Sequence, residues 1–267
     1  MNIARQIGDF KQEENALGNL GNVYHSIGKY REAIKYHKQS LTISCKIGDR
    51  RGEGIDQCHL GLAYSLLGKP DQAIEYLRKS LLIAREIGNR SGEARALGNL
   101  ALVYRSLGKY NQAIEYDRQS LTIERAIGDR YGEADQLRGL GLDYLFLGDY
   151  EQAIDYHQKS LIIAQEINAY GLEGTALCNL GVALIQLKEY SEALKYLLAA
   201  LEILKKIGYR HGETITLYNL AVIYYQLGEL DLAHKFCARA LSIATELGLP
   251  LVQECQELKK KLLSEQA

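Results

Sequence analysis

Tryptophan is absent from this 267-residue chain, methionine occurs once, proline twice and phenylalanine three times, against nineteen tyrosines and twenty-five glycines. So uneven an inventory points to one unit copied many times, because a varied core draws on the whole apolar alphabet. No apolar stretch approaches the ~18–20 uncharged residues that span a bilayer, and the segment from Met1 to Phe10 lacks the apolar centre of a signal peptide. A formal net charge of −1 excludes a general grip on nucleic acid or anionic membrane, which needs clustered cations to displace counter-ions. No CxxC pair occurs among Cys45, Cys58, Cys178, Cys237 and Cys255, and a chain of this size needs no staples. Reduced thiols that mostly fill core space, in a cytoplasmic protein, are the expectation.

What is present is a ruler. Leu20, Leu60, Leu100, Leu140, Leu180 and Leu220 stand forty residues apart with no insertion, which marks six repeats. Tyr24, Tyr64, Tyr104, Tyr144, Leu184 and Tyr224 form a second column, and Ala33, Ala73, Ala113, Ala153, Ala193 and Ala233 a third. Tyr36, Tyr76, Tyr116, Tyr156, Tyr196 and Phe236 form a fourth. Apolar spacings of three and four residues (Leu17, Leu20, Tyr24, Ile27, then Ile34, Leu41, Ile47) divide each repeat into a helix A and a helix B.

Helix A ends at the column Gly28, Gly68, Gly108, Gly148 and Gly228, where Lys188 alone departs; helix B ends at Gly48, Gly88, Gly128, Gly208 and Gly248, with Asn168 as substitute. Glycine suits the left-handed residue that closes a helix, and Asp49, Asn89 and Asp129 then N-cap the next one. Rods of roughly sixteen residues, ~24 Å long, joined by turns this tight run antiparallel. A lone hairpin buries too little to fold; stacking covers its apolar face, and Gly21, Ala33 and Ser40 permit close approach.

Leu20, Gly21, Tyr24, Ala33, Tyr36 and Ser40 resemble the pattern of the tetratricopeptide repeat. The resemblance covers essentially the whole chain and implies an all-α, right-handed superhelical solenoid of six antiparallel hairpins: 9–48, 49–88, 89–128, 129–168, 169–208 and 209–248. The period of forty exceeds the family's usual ~34, and the usual helix A tryptophan and terminal proline are missing. The longer helices, with segments such as Leu17 to Tyr24 and Ala33 to His37, are similar to spindle-orientation adaptors and to bacterial multidomain signalling arrays. No segment after residue 250 supplies the G-protein-binding motifs of such adaptors, so that role is not carried over.

Ile3, Ile7 and Gly8 align with Ile43, Ile47 and Gly48, so residues 1–8 read as a partial helix B, either native or left by excision from a longer array. With residues 9–249 they complete the repeat region. Residues 250–267 read as a capping helix, with Pro250 in its first turn, an apolar stripe at Leu251, Val252, Cys255, Leu258 and Leu262, and Lys259 to Lys261 at a solvated end.

Opposite the Leu20 and Tyr24 stripe, helix A carries a second face. It is polar early (Asn19, Asn22), basic in the middle (Arg95, Arg105, Arg138) and apolar later. In the superhelix that the resemblance implies, this face lines the concave groove. The expected peptide-binding residues are Asn19, Asn22, Leu62, Arg95, Asn99, Leu102, Arg105, Arg138, Leu142, Asn179, Val182, Asn219 and Val222. They suit a protein or peptide ligand with acidic and hydrophobic parts. The competing reading is that the Leu/Val column fills space between successive A helices and the Asn column bonds neighbouring carbonyls.

No HExxH or paired Cys/His spacing joins the histidines, so neither metal nor cofactor is expected. Glu53, Glu93, Glu133, Glu173 and Glu213 follow Arg50, Arg90, Arg130 and Arg210 at three-residue spacing, which gives pairing within a helix rather than an acid–base couple. The expected function is therefore a non-catalytic scaffold without nucleic-acid or membrane partners. Two alternatives stay open: a self-assembling array that associates through its uncapped N-terminal repeat, and a regulatory arm of a larger signalling enzyme.

Overall fold

The structure, a computed structural model, describes residues 9–265; the partial helix expected over 1–8 lies outside the described residues. Every described element is helical. In order these are α1 (Phe10–Ser26), α2 (Tyr30–Ile47), α3 (Arg50–Leu66), α4 (Pro70–Glu86), α5 (Arg90–Ser106) and α6 (Tyr110–Ile127). They continue as α7 (Arg130–Leu147), α8 (Tyr150–Glu166), α9 (Tyr170–Gln186), α10 (Tyr190–Lys206), α11 (Arg210–Gln226), α12 (Leu230–Leu247) and α13 (Val252–Glu265). Odd numbers up to α11 are A helices and even numbers B helices. The chain divides after Asp129 into two units, α1–α6 and α7–α13.

Side-chain caps start several A helices. Asp49 Oδ1 accepts the Gly52 N–H at 2.8 Å and Asn89 Oδ1 accepts that of Gly92 at 3.1 Å, as their positions after the glycine column imply. At the other ends the glycines hold a positive φ, and so do the two substitutes, Asn168 at 56° and Lys188 at 62°. Lys188 closes its turn as a glycine does: its N–H reaches Ile185 O at 2.9 Å, and the Glu189 N–H reaches Leu184 O at 2.9 Å. A left-handed lysine costs about 1–2 kcal/mol, so packing of α9 on α10 imposes the turn even where glycine is missing.

Two expectations shift at such ends. Ile27 and Ile47, counted in the apolar spacing, are 59% and 38% exposed, Ile27 following the last residue of α1 and Ile47 being the last residue of α2. Pro250 precedes α13 instead of entering its first turn: the Val252 N–H bonds Leu249 O at 3.2 Å, a tight turn that leads into the helix. Cys255, Leu258 and Leu262 of α13 are buried against the last hairpin, as their stripe implied.

Three contacts fasten the hairpins; the first four carry all of them, whereas the fifth has Leu184 and Ala200 in place of the tyrosine and serine, and the sixth has Ala240 in place of the serine. The two aromatic columns stack, with ring centroids 5.1 Å apart for Tyr24 and Tyr36, 5.2 Å for Tyr64 and Tyr76, and 5.4 Å for Tyr224 and Phe236. A serine on helix B donates to a carbonyl of helix A, Ser80 Oγ to Gly54 O at 2.8 Å and Ser160 Oγ to Ala134 O at 2.8 Å. The third contact is a matched pair of volumes. Gly61 faces Leu77, Gly181 faces Leu197, and Gly21 and Gly141 face His37 and His157, so closely that an added Cβ would lie 2.4–2.5 Å from the opposing side chain. Where the B residue is the smaller Asp117 or Cys237, the A residue is Ala101 or Ala221.

Gly61→Ala is therefore expected to lower stability by about 1–2 kcal/mol, overpacking against fully buried Leu77 outweighing alanine's helix propensity. Adding Leu77→Cys, the partner that alanine has in the sixth repeat, should recover most of the loss. Urea unfolding of the two single variants and the double variant checks this, and strict additivity would refute volume matching.

Candidate functional site

In each unit, successive helices A approach within 8 Å at their Cα atoms: α1 with α3 and α3 with α5 in the first, α7 with α9 and α9 with α11 in the second. Successive helices B do not, among the described residues. The A layer is thus the more crowded side of each stack.

In the first unit, Asn19 and Asn22 line a cleft of about 370 Å³ together with Arg51 and His59. Leu62 is half-buried, Leu102 is 46% exposed and Arg95 is exposed. Asn99 is engaged, its Nδ2 donating to Cys58 Sγ of the preceding repeat at 3.2 Å. Arg105 is not an open contact. Its guanidinium pairs with the carboxylate of Asp117 on α6, with side chains only 11% and 2% exposed. Its position near the end of α5 turns it toward the partner helix of its own hairpin.

In the second unit, Arg138 bonds Asp135 on its own helix, with Nε 2.9 Å from Oδ1. Leu142, Asn179 and Val182 are half-buried. Asn219 Nδ2 donates to Ile215 O at 3.0 Å, and Val222 packs on the cluster formed with Leu258 and Leu262. Val222 is half-buried there, beside α13, which follows α11 in the A layer.

Sequence reasoning missed a buried polar seam between α1, α2 and α3. Ser44 Oγ donates to Glu14 Oε1 at 2.9 Å, and His37 Nδ1 lies 3.2 Å from Asp56 Oδ1, all in buried residues. The ring of His37 stacks on that of His59 at 4.8 Å. Burial, followed by the charges of His37, Arg95 and His25, pushes the His59 imidazole down to about 4. The trio of serine, histidine and acid has no catalytic geometry, since Ser44 bonds carboxylates and is shut from solvent. The signal was there in the columns: Asp56 stands where other repeats carry Ala16, Ala96 and Ala176, and Asp117 where they carry Leu77 and Leu197.

The cysteines are free; Cys58, Cys178, Cys237 and Cys255 are buried and Cys45 is exposed. Burial pushes the Cys178 and Cys255 thiols up to about 11, so neither is a ready nucleophile. No group of three or more His, Cys, Asp or Glu able to hold a metal occurs among the described residues. No helix among them is long and apolar enough to cross a membrane.

Family models described as tetratricopeptide repeat match residues 16–51 and, in overlapping windows, 55–126, 92–166, 133–206 and 172–246. The chain belongs to the tetratricopeptide repeat family. No curated protein sequence matches it. Among solved structures, it is similar to a signal transduction ATPase with numerous domains from Pyrococcus horikoshii that carries a tetratricopeptide repeat sensor, at TM-score 0.78 and 23% identity over 94% of this chain. This tetratricopeptide chain spans 39% of that protein's length. It is also similar to aspartyl phosphate phosphatase F from Bacillus subtilis (TM-score 0.70, 20% identity, 86% of this chain and 61% of that one). A third likeness is to pilF from Pseudomonas aeruginosa (TM-score 0.62, 19% identity, 93% and 99%). At these identities the likeness is one of fold, an all-α repeat solenoid.

Proposed function

We propose that this tetratricopeptide chain is a non-catalytic, cytoplasmic scaffold that holds a peptide or partner helix against the inner face of its A helices. The observation that carries the reading is the crowding of the A layer in each unit together with Leu62, Leu102 and Val182 of its second stripe, which stay partly open. Exposed apolar side chains beside asparagine and arginine suit a ligand with hydrophobic and acidic parts. Arg105, Asn219 and Val222, engaged within the fold, contribute by shaping the face and not by touching the guest.

A library of short peptides that alternate leucine and glutamate, titrated into isotope-labelled protein, tests the reading. A binding member is expected to shift the methyl resonances of Leu62, Leu102 and Val182. Leu102→Asp should weaken it about tenfold, or ~1.4 kcal/mol, with little change in Tm because the side chain is already half in water. A library in which no member moves these methyls removes the groove. The archaeal repeat sensor supports a second reading, the same face serving as the sensing arm of a longer protein, which the flanking gene sequence decides.

A further inference from the structure

In the first unit a small notch opens between α3, α4 and α5. Cys58, Ser80 and Ile83 are buried in it, half-exposed Ile87 continues its apolar wall, and the exposed Arg51 and Arg95 flank its entrance. No carboxylate lines it. This is unusual for the molecule, in which Arg50, Arg85, Arg90 and Arg105 of the same unit all pair with Glu or Asp. Arg51 and Arg95 form no ion pair among the described residues.

The groups at the bottom of the notch do not neutralise them. Burial pushes the Cys58 thiol up and keeps it uncharged, while its sulfur accepts from Asn99. The Ser80 hydroxyl is spent on Gly54 O at 2.8 Å. Asn89, Ser91 and Gly92 bring the start of α5 to the same notch, and a helix N-terminus adds positive potential.

The combination is confined to one place in the chain. The pairs equivalent to Arg51 and Arg95 in other neighbouring repeats are Lys11 with Ile55, Ser91 with Asp135, Tyr131 with Thr175 and Gly171 with Ile215. Duplication alone does not account for two arginines here.

Size narrows the guest. The notch volume is about 100 Å³, well under the ~300 Å³ at which pockets for organic cofactors begin. One side chain enters. Two guanidinium groups select a planar carboxylate, and the Ile83 and Ile87 wall selects one carried on methylenes. We propose that the notch anchors a single glutamate side chain of the bound polypeptide, its carboxylate bridging Arg51 and Arg95. The assignment rests on the groove reading for the origin of that glutamate, and it gives the groove a fixed register.

The test titrates isotope-labelled full chain with N-acetylglutamate N-methylamide, with its glutamine analogue and with inorganic phosphate. The expected result is a saturable shift of the Ser91 and Gly92 amides and of the Arg51 and Arg95 Nε–H signals by the glutamate probe alone. Arg51→Gln or Arg95→Gln should weaken it at least threefold. Equal response to the glutamine analogue, equal response to phosphate, or indifference to both substitutions overturns the assignment. A leucine–glutamate peptide separates this from the groove reading. A peptide that shifts Leu62 and Leu102 but ignores Arg51→Gln sinks the notch and leaves the groove. A notch that answers the glutamate probe while no peptide moves those methyls supports the carboxylate site and sinks the groove.

Discussion

Replacing Arg105 by leucine lowers the stability of the first unit by about 3 kcal/mol, the scale for stripping one partner from a buried ion pair. The loss arises because Asp117, 2% exposed, keeps a carboxylate that water cannot reach and that its guanidinium no longer compensates. The same reasoning predicts rescue. With Asp117→Leu added, the column regains the residue it carries at Leu77 and Leu197, and most of the loss disappears. Ala101 in place of glycine opposite that leucine limits the recovery, so a triple variant with Ala101→Gly should recover more. Urea unfolding followed by circular dichroism measures all three. If the double variant is no more stable than Arg105→Leu alone, the pair is not what the arginine contributes.

Replacing His157 by leucine is expected to raise stability at neutral pH and to remove part of the protein's sensitivity to acid. Neither ring nitrogen of His157 has a hydrogen-bond partner among the described residues, and the side chain is wholly buried. Burial first, then the charge of Arg138, pushes its imidazole down from 6.5 to about 3. The native state therefore holds the ring neutral, whereas the unfolded chain takes up a proton once the pH drops below 6.5. Where the unfolded state binds the extra proton, stability falls with falling pH. The contribution is complete above 6.5 and drains away toward 3. Leucine opposite glycine already occurs twice at this place, at Leu77 with Gly61 and Leu197 with Gly181. His157→Leu should thus gain about 1–3 kcal/mol at pH 7, from removing unsatisfied polar atoms, with a larger margin over the parent at pH 5. His59, held down to about 4, leaves a residual slope in the first unit. A margin that stays constant between the two pH values would show that His157 is not the group that titrates.

The fold was legible because the chain supplies its own alignment. Six in-register copies expose the turn glycines, the stacked tyrosines and the serine that reaches the neighbouring helix, and they identify Asn168 and Lys188 as positions forced into the same turn. The candidate site was legible only as a face. Which residues on that face stand open depends on partners distant in sequence. Asp117 claims Arg105 across the hairpin, Cys58 receives Asn99 across a repeat boundary, and Val222 packs against the cluster of Leu258 and Leu262 on α13. Helical periodicity assigns a side chain to a sector, but only the neighbouring rod decides whether that sector is occupied. The notch went unseen for a related reason, since Arg51 and Arg95 belong to different columns and line one notch only when two repeats are stacked.

The matched volumes inside each hairpin also bear on how such a chain can be shuffled. A crossover in the turn after helix A, between the third or sixth repeat and one of the other four, would join a glycine-bearing half to a small B partner or an alanine-bearing half to leucine or histidine, leaving a void or a clash. A crossover at the turn after helix B hands on intact couples. Whole hairpins are therefore the units that can be exchanged between such chains without repacking.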